Sequence, residues 1–133
     1  MSVGARILVI EDNKNSNDLM CYLLRCFGHT VFSAGDGREG LDAAARERPD
    51  VIVMDLQMQR MGGFEAAAIL AADPDLLAIP RVAVTAYAML GDRERVLAEG
   101  FDGYIAKPID PERFVEQIEV FVPEPLRSAG RAR

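Results

Sequence analysis

Residues 51–55 read VIVMD, four apolar residues in succession followed by an acid. A strand with one wet face alternates apolar and polar side chains. This one does not, so both its faces are buried, as in a parallel sheet covered by helices on each side. ILVI at residues 7–10 repeats the pattern and again runs into acids, Glu11 and Asp12. Working outward, the strand-like runs are residues 6–10, 30–33, 51–54, 81–84 and 103–106. The segments between them have helical spacing. Asn13 is placed to cap a helix with Leu19, Leu23 and Phe27 on one side. A second helix covers about 40–46 with Leu41, Ala44 and Ala45, a third starts at Gly63-Phe64, and a fourth spans about 90–98. The last opens on Asp110-Pro111, a capping residue and a proline at the first helical position, and carries Phe114, Ile118 and Phe121.

Five strands alternating with five helices predict an α/β fold with right-handed crossovers. Of the two common doubly wound arrangements, the flavodoxin-like (βα)5, a five-stranded parallel sheet in the order 2-1-3-4-5, suits this number of strands. The 133 residues make one domain, read as residues 1–122, with 123–133 as a flexible tail or linker stub. Half the residues are hydrophobic, enough for a core without staples. Cys21 and Cys26 lie five apart in a helix, on different faces, so they read as free thiols of a reducing compartment. With His29 the only histidine and no second cysteine pair, a zinc site is not expected. The start of the chain has no signal-peptide pattern and no run reaches the length of a membrane span, which predicts a cytoplasmic protein. A formal charge of −6 argues against direct binding to nucleic acid.

In such a sheet the sites form at the carboxyl ends of the strands. Strand one ends in Glu11-Asp12, strand three in Asp55, strand four in Thr85 and strand five in Lys107, while strand two offers nothing chemical. Strands one and three are neighbours in the expected order, so Glu11, Asp12 and Asp55 converge. Carboxylates about 5 Å apart repel by ~3 kcal/mol per pair at an effective dielectric of 20. Either one of them stays protonated or a hard divalent cation sits among them. Each residue also has an ordinary reading: turn or capping acids, a buried strand-end hydroxyl, a solvated lysine. Independent turn residues have no reason to gather three acids, a hydroxyl and a lysine at one rim, so the site reading wins.

The segments ILVIEDN (7–13), MDLQMQRMGG (54–63), VAVTAYA (82–88) and DGYIAKPI (102–109), in this order and spacing, resemble the receiver domain of response regulators. The resemblance covers about residues 6–122, and 79–108 is similar to single-domain DivK-like receivers and to receivers of hybrid kinases. It implies a receiver in two-component signalling that takes a phosphoryl group from a histidine kinase or a histidine phosphotransfer protein. Asp55 would be the phosphoacceptor. Glu11, Asp12, Asp55 and the backbone carbonyl of Gln57 would hold Mg2+, with Mn2+ as a substitute. Lys107 would contact the phosphoryl group, Thr85 and Tyr104 would form the switch, and Ala86 would leave access for the donor. The Lys107-Pro108 bond would be cis, and the output surface would be helix four, strand five and helix five. Gln59 stands where the family usually has proline, and the Gly62-Gly63 pair reads as added freedom in the same loop.

The resemblance also implies self-catalysed phosphotransfer and slow autodephosphorylation rather than conventional enzyme turnover. A phosphatase of the haloacid dehalogenase type would need an acid two residues after its nucleophile, where Gln57 stands and cannot transfer a proton. A flavin module would need a glycine-rich phosphate loop where Glu11-Asp12-Asn13 stands. A domain that had lost phosphorylation would not be expected to keep Asp12, Asp55, Thr85 and Lys107 together.

Overall fold

A computed structural model describes residues 4–58, 61–86 and 92–128. The elements run β1 Arg6–Ile10, α1 Lys14–Cys26, β2 Thr30–Ala34, α2 Gly37–Glu47, β3 Val51–Met54, α3 Gly63–Ala72, β4 Arg81–Thr85, α4 Asp92–Ala98, β5 Gly103–Ala106 and α5 Phe114–Glu119. The five strands are all parallel in the order β2-β1-β3-β4-β5. That is the doubly wound order expected from the sequence. No helix among the described residues is long and apolar enough to cross a membrane.

The doubly apolar strands explain the layers. Successive side chains point to opposite faces, so Ile7 and Val9 join Val51, Val53, Val82 and Val84 on the face covered by α1 and α5, where Leu24, Phe114 and Ile118 close the core. Leu8 and Ile10 join Ile52, Met54 and Ala83 on the other face, under Ala44, Ala67, Leu70 and Val96 of α2, α3 and α4. Each fully buried Leu, Ile or Val side chain contributes about 1.5–3 kcal/mol. Gly40 lets α2 lie against β1, since a Cβ there would meet the Ile10 side chain.

Asn13 caps α1, its side chain accepting from Ser16 N at 2.9 Å. The second helix starts earlier than its apolar stripe: Asp36 caps it by accepting from Glu39 N at 2.8 Å, and the two glycines of its first turn had concealed the start. In the fourth helix the described residues begin at Asp92, so Leu90 and Gly91 lie outside them. The Asp110-Pro111 start is corrected. The Asp110 carboxylate binds Glu112 N at 3.0 Å as a turn, and the helix proper begins at Phe114. Phe121 lies past that helix, and its ring occupies the space a Cβ on Gly103 would need. Segment 123–128 also departs from the flexible reading. It forms a 3-10 turn at Glu124–Leu126, and Ser128 is buried, while 129–133 lie outside the described residues. Cys21 and Cys26 are both free.

What ties Ser128 down is a buried polar cluster at the strands' amino ends. His29 Nδ1 accepts from Ala5 N at 2.9 Å, so Nε2 carries the proton and donates to Glu119 Oε2 at 2.6 Å. The same carboxylate accepts from Ser128 N at 3.0 Å and from Ser128 Oγ at 2.9 Å. Burial alone would push the Glu119 carboxyl up, but the Ser128 amide, the His29 ring and the Ser128 hydroxyl together hold it below the usual carboxylate value. A depressed carboxyl contributes stability that is present above its unfolded-state value and lost as pH falls through the folded one. Glu119→Gln should therefore cost about 2 kcal/mol at neutral pH, with the deficit shrinking in acid. Urea denaturation at several pH values reads both, and a deficit that does not change with pH would contradict the assignment.

Arg81 breaks the pattern of β4. It is 5% exposed, its backbone N–H donates to Asp102 Oδ2 at 2.9 Å, and Nη2 lies 3.5 Å from Leu77 O. Nε and Nη1 are buried without a hydrogen-bond partner. Buried orphan donors on a charged group are costly, so Arg81→Leu should raise the unfolding free energy by about 1–2 kcal/mol. Urea denaturation would show it as a higher midpoint with an unchanged slope; a lower midpoint would contradict it.

Candidate functional site

The site lies where three strands end. Because β1 pairs with β3 with Ile10 opposite Met54, the next residues of both strands, Glu11 and Asp55, emerge side by side. Backbone bonds fix them: Asp55 N donates to Ile10 O at 3.0 Å and Glu11 N to Ala34 O at 3.0 Å. Glu11 is 1% and Asp55 5% exposed, whereas Asp12 is exposed. One carboxylate oxygen from each of Glu11, Asp12 and Asp55 lies within 4.8 Å of the others.

Lys107 comes from the end of β5, anchored by its N–H to Thr85 O at 2.9 Å. Its Nζ lies 2.5 Å from Glu11 Oε1 and 3.0 Å from Asp55 Oδ2, bridging the two buried acids. The Lys107-Pro108 peptide is cis. The other oxygens are held by backbone: Asn13 N donates to Glu11 Oε2 at 3.1 Å and Gln57 N to Asp55 Oδ1 at 3.0 Å. Burial pushes the Glu11 carboxyl above its ordinary value, and the charge of Asp55 adds to this, although Lys107 and the Asn13 amide pull the other way. For Lys107 burial works against the charged form, but the bonds to Glu11 and Asp55 outweigh it and hold the ammonium above its ordinary value.

Three carboxylates against one ammonium leave two negative charges, the deficit that one divalent ion neutralises. The donors are hard oxygens with one exposed edge at Asp12, which suits Mg2+ with retained waters better than a softer metal.

Residues 7–119 match the response regulator receiver domain. The chain belongs to that family. The receiver is 39% identical over 116 residues to the polar-differentiation response regulator DivK of Brucella anthropi, spanning 87% of this chain and 94% of the relative. Among solved structures it resembles the chemotaxis protein CheY4 of Vibrio cholerae, with TM-score 0.84, 27% identity, and coverage of 90% of this chain and 100% of that one. It also resembles the receiver domain of a sensor histidine kinase from Pseudomonas aeruginosa, at TM-score 0.81 and 31% identity, covering 90% and 98% of the two chains. That structure has a magnesium ion coordinated in its active site cleft.

In this receiver, Thr85 is fully buried at the end of β4, and Ala86 beside it is exposed. Tyr104 of β5 is half-buried and lies opposite Ala83 in the register. Ala83 and Thr85 share a sheet face, so Tyr104 and Thr85 are diagonal neighbours on the side of α4. Gln57 is exposed and lies two residues after Asp55, while Gln59 lies outside the described residues.

The reading of Gly62-Gly63 as added freedom is corrected. Neither residue has a positive φ; a Cβ on Gly63 would sit 2.8 Å from Asp55 O and 2.8 Å from Leu56 Cα. Gly63 is there so that α3 can start hard against the strand end that carries Asp55. Two groups were missed in the sequence. The Asn13 backbone N–H holds Glu11 while its side chain caps α1, and that backbone role is one that no side-chain pattern signals. Asn17 is a buried polar residue on the helix face otherwise made by Met20, Cys21 and Leu24, and that break in an apolar stripe is a signal the sequence does carry.

Proposed function

We propose that Asp55 accepts a phosphoryl group from a phosphohistidine on a histidine kinase or histidine phosphotransfer protein, and that this phosphorylation switches a protein-binding surface. The observation that carries the reading is the bridge of Lys107 Nζ between Glu11 and Asp55 beside the exposed Asp12. Glu11, Asp12, Asp55 and the Gln57 carbonyl would hold Mg2+, which when bound neutralises charge on the phosphoryl oxygens. An Asp55 carboxylate oxygen forms the new P–O bond as the P–N bond to the donor imidazole breaks, and the imidazole nitrogen keeps the electron pair and takes a proton. Positioning and charge balance supply most of the catalysis in such transfers. Lys107 is placed to move from the carboxylates to the new phosphoryl oxygens, and exposed Ala86 leaves the approach open.

Exposed Gln57 can hold Asp55 through its amide but cannot activate water as an acid–base group. The reading is thus a signalling domain with slow loss of its phosphoryl group. Thr85 would donate to that group and Tyr104 turn inward, biasing two states of the surface made by α4, β5 and α5. Leu97 of α4 and Val120, just past α5, are exposed apolar residues. A formal charge of −6 favours a protein over nucleic acid, and a cytoplasmic location accompanies the reading.

Incubation with a small phosphodonor tests it. Uptake of one phosphoryl group is expected with Mg2+ and none with a chelator; equal uptake under both conditions would overturn the metal's role. Thr85→Ala should still take up the phosphoryl group but lose phosphorylation-dependent binding of the target, read by co-sedimentation. Binding unchanged in that variant would remove Thr85 from the switch.

A further inference from the structure

We propose that Asn17 is a positioning residue for the divalent cation, its side-chain amide setting the loop that presents Glu11 and Asp12. The inference rests on the cation site proposed above.

Asn17 is 8% exposed, on the buried face of α1. Its Nδ2 donates to Glu11 O at 3.0 Å and to Ala34 O at 3.1 Å, so one amide clasps the ends of β1 and β2 together. Ala34 O also accepts from Glu11 N, which makes the Glu11 peptide a junction held from two sides. The amide cannot turn over, because its Oδ1 accepts from Cys21 Sγ at 3.2 Å. Three bonds thus fix one orientation at a buried position.

Helix packing does not require this residue. Asparagine is a poorer helix former than leucine and brings polar atoms into an apolar stripe. What it supplies is a fixed position for the backbone from which the Glu11 and Asp12 carboxylates leave. A hard cation with near-ideal octahedral demands tolerates little drift in its ligands, and groups that orient a ligand carry a large share of metal affinity.

Asn17→Leu removes both donors at similar volume, and Asn17→Ser keeps one donor. Mg2+ affinity of the wild type and both variants is measured by titration calorimetry at a temperature where circular dichroism shows each to be folded. Asn17→Leu is expected to weaken Mg2+ about 10-fold or more, with Asn17→Ser between it and the wild type. Amide exchange of the metal-free forms should show Glu11 and Asn13 less protected in Asn17→Leu. If the wild type binds Mg2+ and both variants bind it equally well, the inference fails while the proposed site stands. If the wild type binds no Mg2+, the site and the inference fall together. Should Asn17→Leu not fold, the Asn17→Ser affinity alone decides, and a wild-type value overturns the proposal.

Discussion

Asp55→Asn should gain no phosphoryl group from a small phosphodonor and Mg2+ under conditions where the wild type gains one. The substitution is nearly isosteric and keeps an oxygen to accept from Gln57 N, so the fold and the Glu11–Lys107 pair survive. What it removes is the proposed nucleophile, since a carboxamide has no anionic oxygen to attack phosphorus. It also removes one of the three negative charges that make the cluster want a dication. Intact-mass measurement reads the result directly. An equal mass gain in the variant would show that another side chain is the acceptor, and Asp12 would be the first to examine.

Lys107→Ala should have the next largest effect, and of a different kind. The proposed acceptor remains, so the phosphoryl group can still arrive, but the cation bridging Glu11 and Asp55 is gone. Loss of a single preorganised group that stabilises transition-state charge costs about 100-fold in rate or more. The variant also leaves two buried carboxylates without their counter-charge. The lysine side chain is 23% exposed and partly screened, so the stability loss without metal should be nearer 2 kcal/mol than the ~3–5 of a fully buried pair. Mg2+ should restore part of that stability. Rates of uptake and urea midpoints with and without Mg2+ separate the two effects, and a variant with wild-type uptake would contradict the role of Lys107.

The strands were legible because parallel strands buried on both sides are apolar without alternation, and VIVM and ILVI leave no other reading. Their ends were legible for the same reason, since acids and a lysine stand out directly after such runs. Helix starts were harder. Gly37 and Gly40 look like breakers yet sit inside α2, where Gly40 makes room for Ile10. Asp110-Pro111 resembles a helix start but makes a turn, because the choice between a cap and a turn depends on backbone angles that residue type does not set. Pro123 and the arginines beyond it hid the docked 3-10 turn, whose anchor is the contact between Ser128 and Glu119. That contact depends on His29, ninety residues from Glu119 along the chain. Pairings across such separations leave no periodic trace, and the same holds for the Asn17 clasp across β1 and β2.

The central claim is that phosphorus becomes bonded to one oxygen of one residue, Asp55. The most direct test phosphorylates the wild type with a small phosphodonor and Mg2+, reduces the acyl phosphate with borohydride, and maps the modified residue by peptide mass. The account predicts a single reduced carboxyl, at Asp55. Modification confined to Asp12, Glu11 or a hydroxyl-bearing residue, or no modification at all, would contradict it.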